Sequence, residues 1–310
     1  MKKSLLILMA GCLALFACNK QENPSAAGDG LVPIEFTLGE SSFEAVVSTR
    51  ATEITNANAA TTLQSLYFTA TTGTNNTAVS SLANVSFTRQ SNGTYKAADK
   101  YWPATDPSYH FYAANASISN SGGNVTVSPA NGNTDVVVGY LETTNYKGSN
   151  AITLNHVFAQ IGTITINAPS GYTVTDLKIY FRPVTSGTYN LKTSDWTSRG
   201  SAASSDTYLV GSSSSGLSIT TAGGSTNVAD LNMMVVPLAT GTNYTLTASY
   251  KIHKNGYDSD TITGTSNVYF QKGMQNNITA NLTEGTGAAQ DITFTVDVTG
   301  WGDNPITATF

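Results

Sequence analysis

The stretch Ile292-Thr293-Phe294-Thr295-Val296 (ITFTV), near the end of the chain, alternates large apolar residues with threonine. The stretch Ile34-Glu35-Phe36-Thr37-Leu38 (IEFTL), near the beginning, repeats the pattern. Alternation with a period of two predicts a β-strand that buries one face. The chain therefore carries two versions of one half-buried strand, one at each end.

Similar alternation recurs along the chain, separated by turn signals such as Ser91–Gly93 and Thr240–Asn243, and no stretch shows a sustained helical period. These patterns predict an all-β protein with sandwich-type domains. The polar segment Asn145–Asn150 predicts a boundary between an N-terminal domain, residues 31–148, and a C-terminal domain, residues 149–310. The serine-rich stretch Arg199–Gly216 is interpreted as surface loops. The predicted strands cover residues 32–38, 43–48, 63–70, 84–88, 108–114, 124–128, 135–140, 157–167, 173–182, 228–236, 243–253, 267–270, 276–283 and 291–299.

The composition favours an exported protein. The chain has 310 residues, of which 40% are apolar and only 11% are charged, against a typical charged quarter. Serine, threonine, asparagine and glycine take the place of charge, which gives a polar but weakly charged surface. The net charge is -5, and no cluster of lysine and arginine follows the N-terminus, so we expect no nucleic-acid partner.

The first 18 residues predict a lipoprotein signal peptide. Lys2 and Lys3 precede an apolar run that is too short to span a bilayer. The run ends in LFAC, which resembles a lipobox and predicts Cys18 as the lipidated residue; Cys12 is a rival, and ordinary secretion with nearby cleavage is an alternative. Residues 19–30 are interpreted as a polar tether. Both cysteines lie in this signal, so the mature chain has none for a disulfide, a metal site or a nucleophile.

Catalytic patterns are not evident in the sequence. His110, His156 and His253 each stand alone on a predicted strand, where a structural role is the usual one. The stretch DSDTITG, Asp258 to Gly264, begins like a calcium loop but lacks the oxygen ligands of an EF-hand, which leaves only a different kind of calcium site open. We therefore expect no enzyme and no cofactor. The aromatic stretch from Lys100 to Ala116 is interpreted as core, with a glycan-contacting surface as the alternative.

Several motifs occur in a characteristic order, and together they resemble the fimbrillin family, the subunits of type V pili. The lipobox is followed by a short tether and a strand. The motifs that follow are VVSTRA (Val46–Ala51), YWPATDPSYHFYAANA (Tyr101–Ala116), LNHVFAQIGTITI (Leu154–Ile166), FQKGMQNNITANL (Phe270–Leu282) and GWGDN (Gly300–Asn304). The chain departs from the family pattern at Phe16 in the lipobox and at Gln160, where lysine is commoner.

The resemblance implies two transthyretin-like β-sandwich domains in tandem and a surface lipoprotein precursor. It implies a cut by an arginine-specific protease between Arg50 and Ala51, and loss of the N-terminal strand with Ile34, Phe36 and Leu38. The C-terminal strand of another subunit, within residues 291–310, would then fill the groove through the apolar side chains of Ile292, Phe294, Val296 and Val298.

The implied partners are other pilin subunits, outer-membrane lipid through Cys18, the protease, and a host glycan or protein receptor for adhesion. The implied location is the outer membrane and a cell-surface fimbrium.

The residues alone leave alternatives to this scheme. The terminal strand could fold into its own domain, or rest there before assembly. Arg50 could be an ordinary exposed arginine, with Arg89, Arg182 and Arg199 as competing cleavage sites. A monomeric glycan-binding lipoprotein of the outer surface is the alternative function.

Overall fold

The computed structural model describes residues 31–38, 54, 56–73, 77–102, 108–119, 123–129, 132–143, 150–284 and 292–300. From Val32 onward the described residues belong to one compact unit. Their structure is dominated by β-strands in several sheets, which confirms the all-β prediction. None of the helices in these ranges has the length and apolarity needed to span a bilayer.

The strands follow one another along the whole described chain. The first ten are β1 Pro33–Leu38, β2 Ser65–Thr72, β3 Thr77–Ala78, β4 Val85–Arg89, β5 Tyr95–Tyr101, β6 Tyr109–Ala114, β7 Asn124–Val127, β8 Val137–Thr143, β9 Asn150–Ile152 and β10 Asn155–His156. The later ones are β11 Ala159–Ala168, β12 Thr173–Phe181, β13 Gly187–Asn190, β14 Asp195–Arg199, β15 Thr207–Val210, β16 Leu217–Ile219, β17 Gly224–Val235, β18 Tyr244–Lys254, β19 Tyr257–Asp258, β20 Ile262–Val268, β21 Met274–Asn281 and β22 Thr293–Gly300. A helix, α1, spans Asn56–Thr62, and a 3-10 turn spans Ser80–Leu82.

The first sheet has the strand order β10-β8-β6-β2-β4-β5-β1-β9, with β3 paired to β2. Its two ends, β9 and β10, are separated in sequence only by Thr153 and Leu154. One continuous segment, residues 150–156, therefore pairs with β1 at one end and with β8 at the other, and closes the sheet on itself. Gly139 on β8 permits this close approach, because a Cβ there would lie 2.6 Å from the Thr153 carbonyl oxygen.

The interior of the first sheet is a cluster of apolar side chains from the first half of the chain. The aromatic stretch from Lys100 to Ala116 contributes Trp102, Tyr109 and Phe111, all buried. The interpretation of this stretch as core is therefore confirmed for these three residues, whereas Tyr101 is 40% exposed. The part of it between residues 103 and 107 lies outside the described residues.

Two further sheets share a second hydrophobic core. One has the order β17-β11-β21-β22, and the other has the order β15-β12-β18-β19 with β16 and β20 attached. The alternating strands β11, β12, β18 and β21 each send one face into this core. The pairing is antiparallel except between β11 and β21, which run parallel.

A fourth, small sheet, β14-β13-β7, joins residues from the two halves of the sequence. Val125 and Val127 of β7 belong to the second core, although they precede the predicted boundary. That boundary, between residues 148 and 149, lies outside the described residues. The two-domain division, like the tandem transthyretin-like architecture, stays a prediction.

Most predicted strands are confirmed in type and approximate position, but one interpretation is wrong. The serine-rich stretch from Arg199 to Gly216 contains β15, whose Leu209 and Val210 are buried in the second core. The chain also forms the short helix α1, although the sequence shows no sustained helical period. The predicted strand at residues 43–48 lies outside the described residues.

Candidate functional site

Strand β1 occupies an inner position in the closed sheet. It pairs antiparallel with β5, where Phe36 faces Tyr95, and parallel with β9, where Phe36 faces Asn150. The Trp102 amide donates to the Val32 carbonyl oxygen at 2.8 Å and extends the ladder with the first neighbour. A strand bonded on both sides leaves a slot with two open edges when it is removed.

The side chains of β1 fill the interior of that slot. Ile34 and Phe36 are each 1% exposed, and Leu38 is half-buried. The Phe36 ring stacks on Phe68 with 4.3 Å between centroids, and it meets the edge of Phe111 at 4.8 Å. Burial of each large apolar side chain stabilises the fold by about 1.5–3 kcal/mol, so β1 contributes substantially to the first core.

The terminal strand β22 lies at the edge of the four-stranded sheet. It pairs antiparallel with β21, with Phe294 opposite Ala280 and Val296 opposite Ile278. No strand covers its other edge within the ranges that the structure describes. The strand is thus docked on the second core of its own chain, which is one of the alternatives that the sequence leaves open.

The two similar strands agree in burial as well as in sequence. Ile292 and Phe294 are buried, Val296 is half-buried, and Val298 is 44% exposed. This order of burial matches Ile34, Phe36 and Leu38 position by position. The two strands differ in their neighbours. Strand β1 pairs with a strand on each side, whereas β22 pairs with a single strand, β21, among the described residues.

The residues of the predicted processing site, Arg50 and Ala51, lie outside the described residues, and so does Cys18. Ile54, three residues after Ala51, is described and buried. Its amide donates to Asp135 Oδ2 at 3.0 Å, and the same carboxylate oxygen lies 3.0 Å from His156 Nδ1. The chain that follows the predicted cut is therefore fixed to a buried carboxylate.

The sequence does not predict this contact of Ile54 and His156 with Asp135. The sequence alone presents His156 as a lone structural histidine, and it does not single out Asp135 at all. The histidine lies within the motif LNHVFAQ, but its carboxylate partner is 21 residues away and the amide it helps to hold belongs to Ile54. No local spacing rule joins these groups.

Two competing arginines are engaged by their surroundings. Arg182 Nε donates to Asp206 Oδ1 at 2.8 Å, and Arg199 Nε donates to the Pro237 carbonyl oxygen at 2.8 Å. Arg89 belongs to β4, where its main chain pairs with Tyr95. An arginine-specific protease needs a free arginine side chain and an accessible main chain, so these contacts disfavour cleavage at the three positions.

The remaining candidate sites have local partners. Asp258, the first residue of the calcium-like stretch, pairs with His253 at 2.8 Å, and His110 Nδ1 lies 2.7 Å from the Tyr140 hydroxyl. Within the described residues, no group of three or more histidine, cysteine or acidic side chains is placed to hold a metal ion. Burial, and then the carboxylate of Glu142, raise the pKa of Tyr140 above its usual value.

The chain resembles known proteins in both sequence and fold. A family described as fimbrillin-like matches residues 49–301. A search of curated protein sequences gives no match.

The solved structures that resemble the chain include a fimbrial protein from Bacteroides vulgatus, which shares 17% sequence identity with it. The alignment covers 80% of this chain and 96% of that protein, with a TM-score of 0.56. A fimbrial assembly protein from Parabacteroides distasonis shares 11% identity, with coverage of 86% and 96% and a TM-score of 0.44. A candidate cell adhesion protein from Bacteroides uniformis shares 17% identity, with coverage of 88% and 100% and a TM-score of 0.45. The first of these supports the fold.

Proposed function

The chain belongs to the fimbrillin-like family, a family of structural and adhesion proteins rather than enzymes, and from this premise we propose that it is a fimbrial subunit that polymerises by strand exchange. It is exported as a lipoprotein precursor through Cys18 and is cut between Arg50 and Ala51. Strand β1 then leaves the closed sheet. The terminal strand of a second subunit, within residues 291–310, takes its place, and the fibre serves adhesion at the cell surface.

The inner position of β1 is the observation that carries this proposal. Loss of β1 exposes the rings of Phe68 and Phe111 and frees the edges of both β5 and β9, whereas loss of an edge strand frees the edge of one neighbour only. An incoming strand that buries Ile292 and Phe294 recovers about 1.5–3 kcal/mol for each side chain. Strand addition to an exposed sheet edge is an established mode of recognition.

The subunit that gives the incoming strand loses the burial of Ile292 and Phe294 in its own second core, so the exchange gains through what the slot adds, a second hydrogen-bonded neighbour. Strand β22 has one neighbour among the described residues, and its Val298 side chain is exposed. A one-residue slip in the slot would turn every apolar side chain outward, so the register with Ile292 at the place of Ile34 is strongly favoured. The contact joins unlike surfaces, tail to slot, and such contacts propagate as filaments when they do not close into rings.

The anchor at Ile54 supports the proposed cut. The hydrogen bond from the Ile54 amide to Asp135 would hold the new N-terminal segment against the first core after everything before Ala51 is removed. The two-domain, transthyretin-like architecture is part of the same proposal, with the first core as the receiving domain and the second core as the domain that carries the tail.

Limited proteolysis of the precursor without its lipid tests the proposal. A low dose of trypsin should release the segment that ends at Arg50, and unboiled gels should then show a ladder of stable oligomers. The variant R50Q should stay uncut and monomeric, whereas R182Q, at a competing arginine, should form the ladder as the native protein does. Deletion of residues 291–310 should leave cleavage intact and abolish the ladder.

A synthetic peptide of residues 290–301 tests the slot of one subunit independently of the tail of another. It should bind the clipped deletion protein and raise its melting temperature, the same peptide with F294A should bind more weakly, and neither should bind the uncut precursor. If the chain clipped at Arg50 stays monomeric and takes up no peptide, strand exchange is rejected and the monomeric alternative stands.

A further inference from the structure

A polar pocket opens beside the small sheet β14-β13-β7, and none of its lining residues belongs to β1 or β22. Its walls come from Ser194 in the turn before β14, from Asp195 and Arg199 on β14, from the loop after β17 (Thr240), and from Tyr269 and Lys272 before β21. The cavity measures about 530 Å³, which lies within the range of small-ligand sites. Three separate parts of the chain thus converge on one concave surface.

Two cations and one carboxylate line this pocket. The guanidinium of Arg199 uses its Nε to bond the Pro237 carbonyl oxygen, and its other N–H donors have no partner among the described residues. The Lys272 ammonium donates to the Ser194 carbonyl oxygen and, at 3.3 Å, to the Tyr189 hydroxyl, which leaves one of its three donors. The Asp195 carboxylate accepts from the Trp196 amide at 2.7 Å.

The electrostatics of the pocket favour an anion. The lining carries one more positive than negative side chain, although the whole chain has a net charge of -5. Burial lowers the pKa of Lys272, Asp195 opposes this change, and the nearby Arg199 adds to it. Because two like charges share a partly enclosed space, a bound carboxylate would relieve their repulsion and occupy the free guanidinium donors.

We propose that this pocket binds a carboxylated sugar residue, such as a uronic or sialic acid, with Arg199 and Lys272 on the carboxylate. Sugar hydroxyls need acceptors and donors together, and Asp195 and Thr240 present both at the rim. Tyr269 is 36% exposed, which leaves part of its ring free to pack against a sugar face. A peptide end would need an apolar recess for its last side chain, and the lining is mainly polar.

This site does not depend on polymerisation, so it is tested on the uncut, lipid-free precursor. Titration with glucuronic acid and with N-acetylneuraminic acid, followed by calorimetry or by NMR at low salt, should show saturable binding. Glucose should bind at least about tenfold more weakly, because it lacks the charge-assisted contact. A short peptide with a free C-terminal carboxylate should show no comparable binding.

Two variants and one control locate the site. R199Q should weaken binding of the acidic sugar at least about tenfold. A239E, which adds a negative charge at an exposed residue of the same rim without touching the core, should do the same with an unchanged melting temperature. R182Q removes an exposed arginine outside the pocket and should bind as the native protein does.

The proposal is overturned if neither acid binds, if glucose or the peptide binds as well as the acids, or if A239E leaves the affinity unchanged. None of these results bears on the trypsin ladder, so failure of this site and failure of strand exchange are distinguishable.

Discussion

Replacement of Phe36 by alanine should weaken the precursor while leaving the assembled fibre unaffected. In the precursor the ring is almost fully buried, stacks on Phe68 at 4.3 Å and meets the edge of Phe111 at 4.8 Å. Truncation of such a ring costs about 3–5 kcal/mol in transferred surface and cavity. Urea denaturation of the uncut protein, followed by circular dichroism, measures this loss.

The matched control lies on the same strand. Glu35 is half-exposed, and its carboxylate lies 3.3 Å from Lys96 Nζ in a surface ion pair. E35A should lower the free energy of unfolding by no more than about 1 kcal/mol, since surface pairs of this kind contribute little. The difference in the free energy of unfolding between F36A and E35A therefore measures how much the buried face of β1 contributes to stability.

The second half of the prediction concerns the fibre. Residue 36 is absent after cleavage at Arg50, so oligomers grown from the F36A precursor should dissociate at the same temperature as native ones. Oligomers of F294A should dissociate at a lower temperature. A loss below about 1 kcal/mol in the F36A precursor would mean that the slot is not a hydrophobic site, and weaker F36A oligomers would mean that β1 stays in the fibre.

Substitutions at three other positions test particular contacts. Asp135→Ala should lower the free energy of unfolding by about 1–3 kcal/mol for each buried group that loses its acceptor and speed hydrogen exchange at the Ile54 amide, while Asp135→Asn, which keeps an acceptor, should cost less. Equal exchange in the native protein and both variants would show that Asp135 does not hold the Ile54 amide. Gln160 is fully buried, and its amide has no hydrogen-bond partner among the described residues, so Gln160→Met should stabilise the protein by about 1–2 kcal/mol in urea titrations, and a loss would contradict this interpretation of the core. Burial raises the pKa of Tyr244 to about 12; because the fold favours the protonated phenol, the stability that this preference contributes is complete below about pH 10 and is lost as the pH rises toward 12. Tyr244→Phe should therefore lose less stability than the native protein between pH 10 and 12, as followed by urea titration at each pH, and an equal loss would place the alkaline transition elsewhere.

The sequence is a good guide to the strands but a poor guide to their neighbours. Alternation in Ile34–Leu38 and in Ile292–Val296 predicts which face is buried, and the structure agrees for both. The same pattern does not say that one strand is enclosed on both sides and the other is an edge, because hydrogen-bond partners leave no mark on side-chain periodicity. That difference depends on the closure of the sheet by residues 150–156.

Other elements escape prediction for local reasons. Strand β5 has the sequence YKAADKY, and only Tyr95 and Ala97 are buried, so its charged residues conceal the alternation. Strand β15 has four residues within a serine-rich stretch, too few for a period to emerge. The hydrogen bond from Ile54 to Asp135 joins main chain to side chain across 81 residues, beyond the range of any spacing rule.

The two-sided pairing of β1 has a mechanical consequence. Tension that runs along a strand enclosed between two neighbours loads the hydrogen bonds of both ladders together, in shear, whereas an edge strand pulled away sideways loses its bonds one after another. A segment seated between β5 and β9 therefore resists being drawn out lengthwise far better than β22 resists being peeled from β21. The same short tail would therefore leave its own subunit under a smaller force than is needed to pull it from the slot of the next subunit.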